Sequence, residues 1–197
     1  DAMGGDFAPR IVLKGANIAR RRYPYVRFGL FGDERKIAPL LKRMPKLRNV
    51  ISIQHTEEIV APDATPSQAL RQGKGSSMRL AINAVRDGKA AGVVSAGNTG
   101  ALMAMAKFTL KTLPGITRPA MAAVFPSQRS ESVMLDLGAN VECDADNLIE
   151  FSIMGAEFAR TALGPQDPSV GLLNVGSEEV KGHEAVRLAA ARLREHN

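Results

Sequence analysis

The sequence predicts an α/β domain with a largely parallel sheet, and three observations support this fold class. Strand-like and helix-like segments alternate along the chain and are joined by short links. The chain has 197 residues, of which 45% are hydrophobic, so it can bury a proper core as one region spanning 1–197. It contains no internal repeats and no low-complexity tracts, which excludes a solenoid or a disordered segment.

The first half of the chain contains two predicted strands. Its elements, in order, are a helix at 11–22, a strand at 26–31, a helix at 36–42, a strand at 50–54, a helical turn at 67–71 and a helix at 78–86. Pro9 suits the first turn of the first helix, Pro45 is expected to break the short basic helix, and Ser76 is expected to cap the last one.

The second half begins with a strand that leads into a glycine-rich turn. Its elements are a strand at 93–94, a helix at 101–110, strands at 120–125 and 132–137, a helix at 147–163, a strand at 170–174 and a helix at 185–196. The helix at 101–110 is apolar nearly all round and is predicted to be buried on more than one side. The link between the predicted strands at 120–125 and 132–137 is too short for a crossover helix, so these two strands are predicted to form an antiparallel hairpin. Ser177 can cap the last helix, with Glu178, Glu179 and Lys181 in its first turns.

Charge and composition narrow the classes of partner and cofactor. Residues 10–48 contain twelve Lys or Arg against Asp33 and Glu34, a local net charge of +10 in a chain of net charge +6. This basic lobe indicates an acidic partner, such as nucleic acid, anionic lipid headgroups or an acidic protein. The single Cys143 and three His residues indicate a reducing cytoplasm, no disulfide framework and no metal site. No apolar run reaches the roughly 20 residues that span a bilayer.

The glycine-rich turn at 95–100 reads Ser-Ala-Gly-Asn-Thr-Gly and leads directly into the apolar helix. Such a turn exposes backbone N–H groups at a helix N-terminus, where the helix dipole also favours negative charge. It predicts either a phosphate or carboxylate site or an ordinary turn of an α/β fold.

Three further loops, at 1–6, 136–140 and 174–179, share this small and polar chemistry. Ligands bind beyond the carboxyl ends of strands in such sheets, so we expect the four loops to meet. The loop at 1–6 lacks a preceding strand, and we expect a short strand before it. There is no Ser-His-Asp order or nucleophile elbow, which disfavours a covalent hydrolase, and there is no Walker loop or dinucleotide fingerprint. A site rich in N–H donors, with Lys and Arg nearby, suits an oxyanion or inorganic phosphate.

Six segments resemble the bacterial phosphate acyltransferases of phospholipid synthesis. They are Asp-Ala-Met-Gly-Gly-Asp at 1–6, Ser-Ser-Met-Arg at 76–79, Ser-Ala-Gly-Asn-Thr-Gly-Ala at 95–101, Arg-Pro-Ala at 118–120, Asp-Leu-Gly-Ala-Asn at 136–140 and Leu-Leu-Asn-Val-Gly-Ser-Glu-Glu-Val-Lys-Gly at 172–182. The resemblance implies transfer of an acyl group from acyl-acyl-carrier protein to inorganic phosphate, without a cofactor.

The same resemblance implies a three-layer α/β/α fold like that of isocitrate and isopropylmalate dehydrogenases and of phosphotransacetylase. It also implies a cytoplasmic homodimer in peripheral contact with the inner face of the membrane, and a downstream glycerol-3-phosphate acyltransferase as a further partner. Family members are longer, so the chain is expected to be the N-terminal two-thirds of such a protein.

The candidate residues follow from the matching segments. The catalytic candidates are Asn98, Asp136, Asn140, Asn174 and Lys181. The candidates for binding substrate or phosphate are Asp1, Gly4, Gly5, Asp6, Arg79, Ser95, Gly97, Thr99, Gly100, Arg118 and Glu178. We expect the 95–100 loop to cradle phosphate or the oxyanion, the Asn residues at 140 and 174 to orient the thioester, and the basic residues to balance phosphate charge.

Other interpretations remain open at this point. The Asp residues could cap loops, and Arg79 could be a surface residue. A nucleotide-dependent dehydrogenase on the same fold is the alternative enzyme, although the dinucleotide fingerprint is absent. A nucleic-acid-binding module using the basic lobe is the non-enzyme alternative, but the lobe has no stacking motif and no helix-turn-helix.

Overall fold

The computed structural model describes residues 1–128, 130–164, 166–178 and 181–195. The chain divides into two compact units, Asp1–Lys111 and Thr112–Asn197, which we call unit 1 and unit 2. Helices and strands occur in both units, which confirms the α/β class. One two-stranded sheet is parallel and the other is antiparallel in the described residues.

Unit 1 is built from six helices and two strands in its described residues. In order they are α1 (Arg10–Arg22), β1 (Phe28–Gly32), α2 (Glu34–Lys42), α3 (Pro45–Arg48), β2 (Ile51–His55), α4 (Pro66–Gln72), α5 (Ser77–Arg86) and α6 (Thr99–Leu110). Every helix and both paired strands predicted for this part are present, with ends shifted by at most two residues. The short turn predicted at 67–71 is a capped helix.

β1 and β2 pair in parallel, and α1, α2 and α3 pack on them around one core. The fully or nearly fully buried side chains are Leu13, Leu30, Ile37, Leu41 and Leu47. Each contributes roughly 1.5–3 kcal/mol by leaving water, so this small cluster fixes the two strands and their helices as one body. A second cluster joins α4, α5 and α6.

Polar caps set where the helices of unit 1 begin. Asp33 accepts a hydrogen bond from Arg35 N–H at α2, and Ser76 accepts one from Arg79 N–H at α5, as the sequence predicted for Ser76. The helix predicted at 36–42 ends before Pro45, as expected. Pro45 also begins the short helix α3, which was not predicted, because the first helical position needs no N–H donor and proline already has a helical φ.

Two predictions around the glycine-rich turn were also wrong. Residues 93–94 do not form a strand, because only the Asp1 nitrogen bonds to Val94, at 3.0 Å to its carbonyl oxygen, and a strand needs a hydrogen-bonded ladder. The α6 helix is not buried on several sides. Its buried residues are Ala101 and Met105, four apart on one face, whereas Phe108 is 59% exposed.

Unit 2 contains an antiparallel hairpin followed by two helices in its described residues. They are β3 (Ala123–Pro126), β4 (Glu131–Met134), α7 (Ala145–Leu163) and α8 (Glu184–Arg194). The predicted hairpin is confirmed, with Ala123 opposite Met134. Asp144, which the sequence analysis did not identify as a cap, forms a capping box with Asn147 at the start of α7.

The segment before α8 differs from its prediction. Residues 170–174 are not a strand, since no neighbouring backbone pairs with them in the described ranges. Ser177 does not cap a helix, because α8 begins at Glu184 after His183. Lys181 therefore precedes the helix and is not in its first turns. The predictions for Glu179 and for the end of the last helix at 196 lie outside the described residues.

No helix among the described residues combines the length and the apolar character needed to cross a lipid bilayer.

Candidate functional site

The Asp1 carboxylate joins two of the predicted loops in unit 1. Its Oδ2 accepts a hydrogen bond from Ser95 Oγ at 2.6 Å, and its Oδ1 accepts from Ser77 Oγ at 2.8 Å and from Met3 N–H at 3.1 Å. The Ser95 hydroxyl also accepts from Gly97 N–H at 3.1 Å. Asp1 and Ser95 therefore hold the 1–6 loop and the 95–100 loop to each other and to the start of α5.

Glycine is required where these two loops touch. A Cβ on Gly4 would lie 2.6 Å from Asp1 Oδ2 and 2.8 Å from both Gly97 N and Ser95 Oγ. Gly5 has φ +93° and faces the Ala96 carbonyl, a conformation that L side chains rarely adopt. The backbones can approach this closely only because side chains are absent at both positions.

Asn98 ties a third loop to the N-terminus of α6. Its Oδ1 caps the helix by accepting from Ala101 N–H at 2.9 Å. Its Nδ2 donates to the carbonyls of Pro62 and Ala64, each at 2.9 Å. The side chain that was expected to face phosphate is thus occupied by backbone groups, and in this structure it positions the loop around the helix end.

A cleft of about 650 Å³ lies where these elements meet, entirely within unit 1. Its polar lining, which we call the polar wall, includes Asp1, the glycine-bearing residues 4–6 and residues 96–100. Its apolar lining, which we call the apolar wall, includes Ile59, Val60, Pro62 and Met78. The apolar wall was not predicted, because the 59–62 segment carries no motif.

The groups of the cleft that could attract an anion are backbone N–H groups and not basic side chains, and the carboxylates of Asp1 and Asp6 also line it. The N–H groups of Thr99 and Gly100, at the start of α6, have no hydrogen-bond acceptor in the described part of the chain. They point from a helix N-terminus, which attracts anions. Arg79 lies on α5 outside the cleft lining, and no Lys or Arg lines the cleft among the described residues.

In unit 2, Asp136 organises the predicted loop at 136–140. Its Oδ1 accepts from Met121 N–H at 2.6 Å, and its Oδ2 accepts from Asn140 N–H at 2.7 Å and from Asn140 Nδ2 at 3.1 Å. Burial raises the pKa of the Asp136 carboxyl, but these hydrogen bonds outweigh burial and hold it below its ordinary value. Arg118 donates to the Glu142 carbonyl at 3.1 Å.

The fourth predicted loop, also in unit 2, is a hydrogen-bonded turn. Asn174 Nδ2 donates to the Lys181 carbonyl at 3.0 Å, and Lys181 N–H donates to the Glu178 carbonyl at 2.9 Å. Atoms of the Glu178 and Lys181 side chains lie against Gly176. The three candidates of this loop are therefore neighbours, and all of them are exposed.

A larger groove of about 1000 Å³ lies in unit 2 between β4, α7 and residues 167–173, and none of the predicted site residues line it. Among the described residues, no group of three His, Cys, Asp or Glu side chains is arranged to hold a metal ion. The unit 1 cleft is therefore the feature in which most of the predicted binding residues converge.

The sequence matches a family model described as "Fatty acid synthesis protein" over residues 1–197. It is 64% identical over 98% of its length to the phosphate acyltransferase of Rhodospirillum centenum. It is 58% identical over 99% of its length to the phosphate acyltransferases of Paramagnetospirillum magneticum and Rhodospirillum rubrum. The matched parts are 55%, 56% and 56% of those relatives, so the chain spans about half the length of the curated relatives it matches.

Proposed function

The chain belongs to the fatty acid synthesis protein family, and from that membership we propose that the whole protein is a phosphate acyltransferase. In this proposal it transfers a fatty acyl group from acyl-acyl-carrier protein to inorganic phosphate. The product is an acyl phosphate for phospholipid synthesis. The chemistry of the unit 1 cleft suits this reaction.

The observation that carries the proposal is the pair of unpartnered N–H groups of Thr99 and Gly100 at the N-terminus of α6. Both residues line the cleft together with Gly4, Gly5 and Gly97, and the absence of side chains at these glycines leaves room for an anion near the backbone. Inorganic phosphate has the size and charge for such a cradle. The apolar wall of the same cleft suits the uncharged part of an acyl thioester.

The reaction itself needs no nucleophilic side chain. A phosphate oxygen attacks the thioester carbonyl carbon, the C–O bond to phosphate forms, and the carbonyl oxygen takes up negative charge. The C–S bond then breaks, the carbonyl is restored, and the carrier thiolate leaves and takes a proton from water. The protein must position the phosphate and stabilise the oxyanion, which preorganised N–H donors do well.

The side chains of the cleft have supporting roles in this proposal. Asp1, Ser95 and Asn98 hold the three loops in place, Gly4, Gly5 and Gly97 allow the close approach, and Asp6 assists proton transfer at the cleft edge. The roles predicted for the remaining candidates, namely Arg79, Arg118 and Lys181 as basic residues and Asn140 and Asn174 as residues that orient the thioester, stay proposals for the whole protein, because Arg79 lies outside the cleft lining and the others belong to unit 2. Within unit 2, the turns described above let Asp136 position Asn140 and Glu178 position Lys181.

We also propose the wider setting that family membership supports. The whole protein has the three-layer fold of isocitrate and isopropylmalate dehydrogenases and acts as a homodimer. It works in the cytoplasm, in peripheral contact with the inner face of the membrane, and passes its product to a glycerol-3-phosphate acyltransferase.

The direct test uses the full-length protein, an acyl-acyl-carrier protein and inorganic phosphate, with hydroxylamine to trap the product as a hydroxamate. We expect phosphate-dependent hydroxamate from the wild type and large losses in Asn98→Ala, Asp136→Ala and Lys181→Ala. Asp63→Ala and Lys74→Ala, at exposed positions outside the cleft lining, are the matched controls. Near-normal product in all three site variants would contradict the proposed site. A wild type that forms no product would contradict the proposed function.

A further inference from the structure

Helix α1 carries two apolar rows, and unit 1 buries only one of them. Leu13 is fully buried and packs in the core formed with β1 and β2. Ile11 and Ile18 lie on the opposite side of the helix, two turns apart in one row, and are 49% and 52% exposed. Phe7, which is 76% exposed, lies one turn before them, because Ile11 N–H donates to the Phe7 carbonyl at 3.1 Å. A helix that packs by one side ordinarily presents polar residues on the other, so the core of unit 1 does not account for this row.

Positive charge borders the exposed row. Arg10 and Lys14 are exposed, and neither has an ion pair or a side-chain hydrogen bond in the described residues. α1 itself contains no acidic residue. Arg10 occupies the first position of the helix, where the helix dipole disfavours a cation, and Lys14 lies four residues further on, where a like charge adds repulsion. A negatively charged partner at this side of α1 replaces that repulsion with attraction.

The exposed row begins at the edge of the cleft. Asp6 lines the cleft and is exposed, and Phe7 follows it directly in the sequence. From Phe7 the row extends along α1 to Ile18, a distance of about 16 Å at the rise of a helix. We call Phe7, Arg10, Ile11, Lys14 and Ile18 the outer face of α1. A protein that binds along this face has one end beside the cleft.

An amphipathic helix with acidic residues fits the outer face of α1. Its aliphatic side chains can cover the three exposed apolar residues, and carboxylates along its border can pair with Arg10 and Lys14. In the proposed function the acyl group arrives as a thioester on a carrier protein, and that carrier has to dock beside the cleft. A bilayer laid along α1 would cover the edge of the cleft. Both the chemistry of the row and its position therefore favour the carrier.

We propose that the outer face of α1 docks the acyl-carrier protein through an acidic, amphipathic helix of that carrier. This inference rests on the proposed function and assigns its carrier substrate to a surface of unit 1. Arg10 and Lys14 steer the encounter, and the apolar side chains of the row slow dissociation.

The first test compares two thioesters in the hydroxamate assay with full-length protein: acyl-acyl-carrier protein and the same acyl group on pantetheine. Arg10→Glu/Lys14→Glu should raise the KM for the carrier substrate about tenfold or more and leave the KM for the pantetheine thioester unchanged. Arg10→Lys/Lys14→Arg keeps both charges and should retain the wild-type KM. Arg71→Glu/Lys74→Glu is the matched control, because it makes the same change in net charge at exposed positions outside the cleft lining. Equal KM values for the carrier substrate in the two charge-reversed variants would overturn the proposal.

The second test concerns the apolar row. Ile11→Ser/Ile18→Ser should raise the KM for the carrier substrate about tenfold, with an unchanged urea midpoint, because both side chains are half exposed in unit 1. A lower urea midpoint with equal losses for both thioesters would assign the row to the remainder of the whole protein and overturn the proposal. A normal carrier KM with weaker binding to anionic vesicles would assign it to lipid and also overturn the proposal.

A binding measurement separates this inference from the proposed function. Fluorescence anisotropy of labelled carrier protein reports docking without any reaction, and the affinity should fall with rising salt in the wild type and less steeply in Arg10→Glu/Lys14→Glu. A wild type that binds the carrier in this way but makes no acyl phosphate contradicts only the enzyme activity. One that makes acyl phosphate while both α1 variants bind the carrier normally contradicts only the docking surface.

Discussion

Ser95 Oγ donates a 2.6 Å hydrogen bond to Asp1 Oδ2, although 94 positions separate the two residues. This contact fastens the 1–6 loop to the loop that begins α6, and Ser77 Oγ binds the other oxygen of the same carboxylate. One side chain thus determines the relative position of the groups that form the polar wall of the cleft.

Removing the Asp1 carboxylate should therefore uncouple the loops. In the full-length protein, Asp1→Ala loses three hydrogen bonds to a charged acceptor and leaves two hydroxyl groups without their partner. We expect a loss of about 2–4 kcal/mol in the free energy of unfolding and at least a ~100-fold fall in acyl phosphate formation. Urea unfolding and the hydroxamate assay measure the two effects. Asp63→Ala, at an exposed carboxylate, serves as control. Equal losses of stability and of activity in the two variants would contradict the role of Asp1 in holding the loops together.

Gly4→Ala should damage the cleft by overpacking. The new methyl group would lie 2.8 Å from Gly97 N, a backbone atom that cannot move aside without displacing the loop. We expect a destabilisation of about 1–3 kcal/mol and a higher KM for phosphate. Gly15→Ala is the matched control, because no atom lies within 4 Å of its Cβ position and helical alanine is favoured there. A normal phosphate KM in Gly4→Ala would show that the loop contact does not shape the phosphate site.

Local signals made most of the helices predictable from the sequence. The Ser76 cap and the apolar spacing of α5 lie within one short segment, and so does the spacing of the β3–β4 hairpin. The strands predicted at 93–94 and 170–174 failed for the opposite reason. A strand exists only where another backbone pairs with it, and a short β-branched run contains no information about that neighbour.

The candidate site was predictable only in part, because some of its contacts depend on residues that are distant in the sequence. The rule that ligands bind beyond the carboxyl ends of strands led us to expect all four loops to meet. The 1–6 and 95–100 loops are in contact within unit 1, whereas their meeting with the 136–140 and 174–179 loops of unit 2 stays a prediction. The role of Asn98 as a cap and tether was not predictable, because it depends on carbonyls of the distant 61–64 segment. For the same reason, residues 59–62 were not recognised as a wall of the cleft.

The two functions of the Asn98 side chain can be separated by substitution. Asn98→Asp keeps an acceptor for Ala101 N–H but replaces the donor to the Pro62 and Ala64 carbonyls with an oxygen that repels them. We expect normal helix content by circular dichroism and a large loss of phosphate-dependent activity. Asn98→Ala removes both functions and should cost an additional ~1 kcal/mol through the lost cap. Full activity in Asn98→Asp would contradict the tether.

Cys143 should react slowly with alkylating reagents. Burial raises the pKa of its thiol, the charges of Asp136 and Asp144 raise it further, and Arg118 only partly opposes them. At neutral pH the thiolate fraction is therefore smaller than for a free cysteine. Iodoacetamide labelling of the Cys143 peptide, followed by mass spectrometry, should be slower in the folded protein than in urea. Cys143→Ser should retain acyl phosphate formation. Rapid labelling of the wild type, together with loss of activity in Cys143→Ser, would assign the thiol a role in catalysis.

Asp136 should make the stability of the protein depend on pH in the acid range. Its pKa is lower in the folded state than in the unfolded state, so its contribution is present above the ordinary value of about 3.9 and is lost as pH falls through the folded pKa. Asp136→Asn should therefore be least stable relative to the wild type near neutral pH, where the carboxylate accepts from Met121 and Asn140. The difference in urea midpoint should shrink as the wild-type carboxyl becomes protonated. Asp167→Asn, at an exposed carboxylate of the same unit, should show a difference close to zero throughout. If the difference in urea midpoint between the wild type and Asp136→Asn did not change with pH, these N–H groups would not favour the charged form of Asp136. The reason is that acid removes only the charged form.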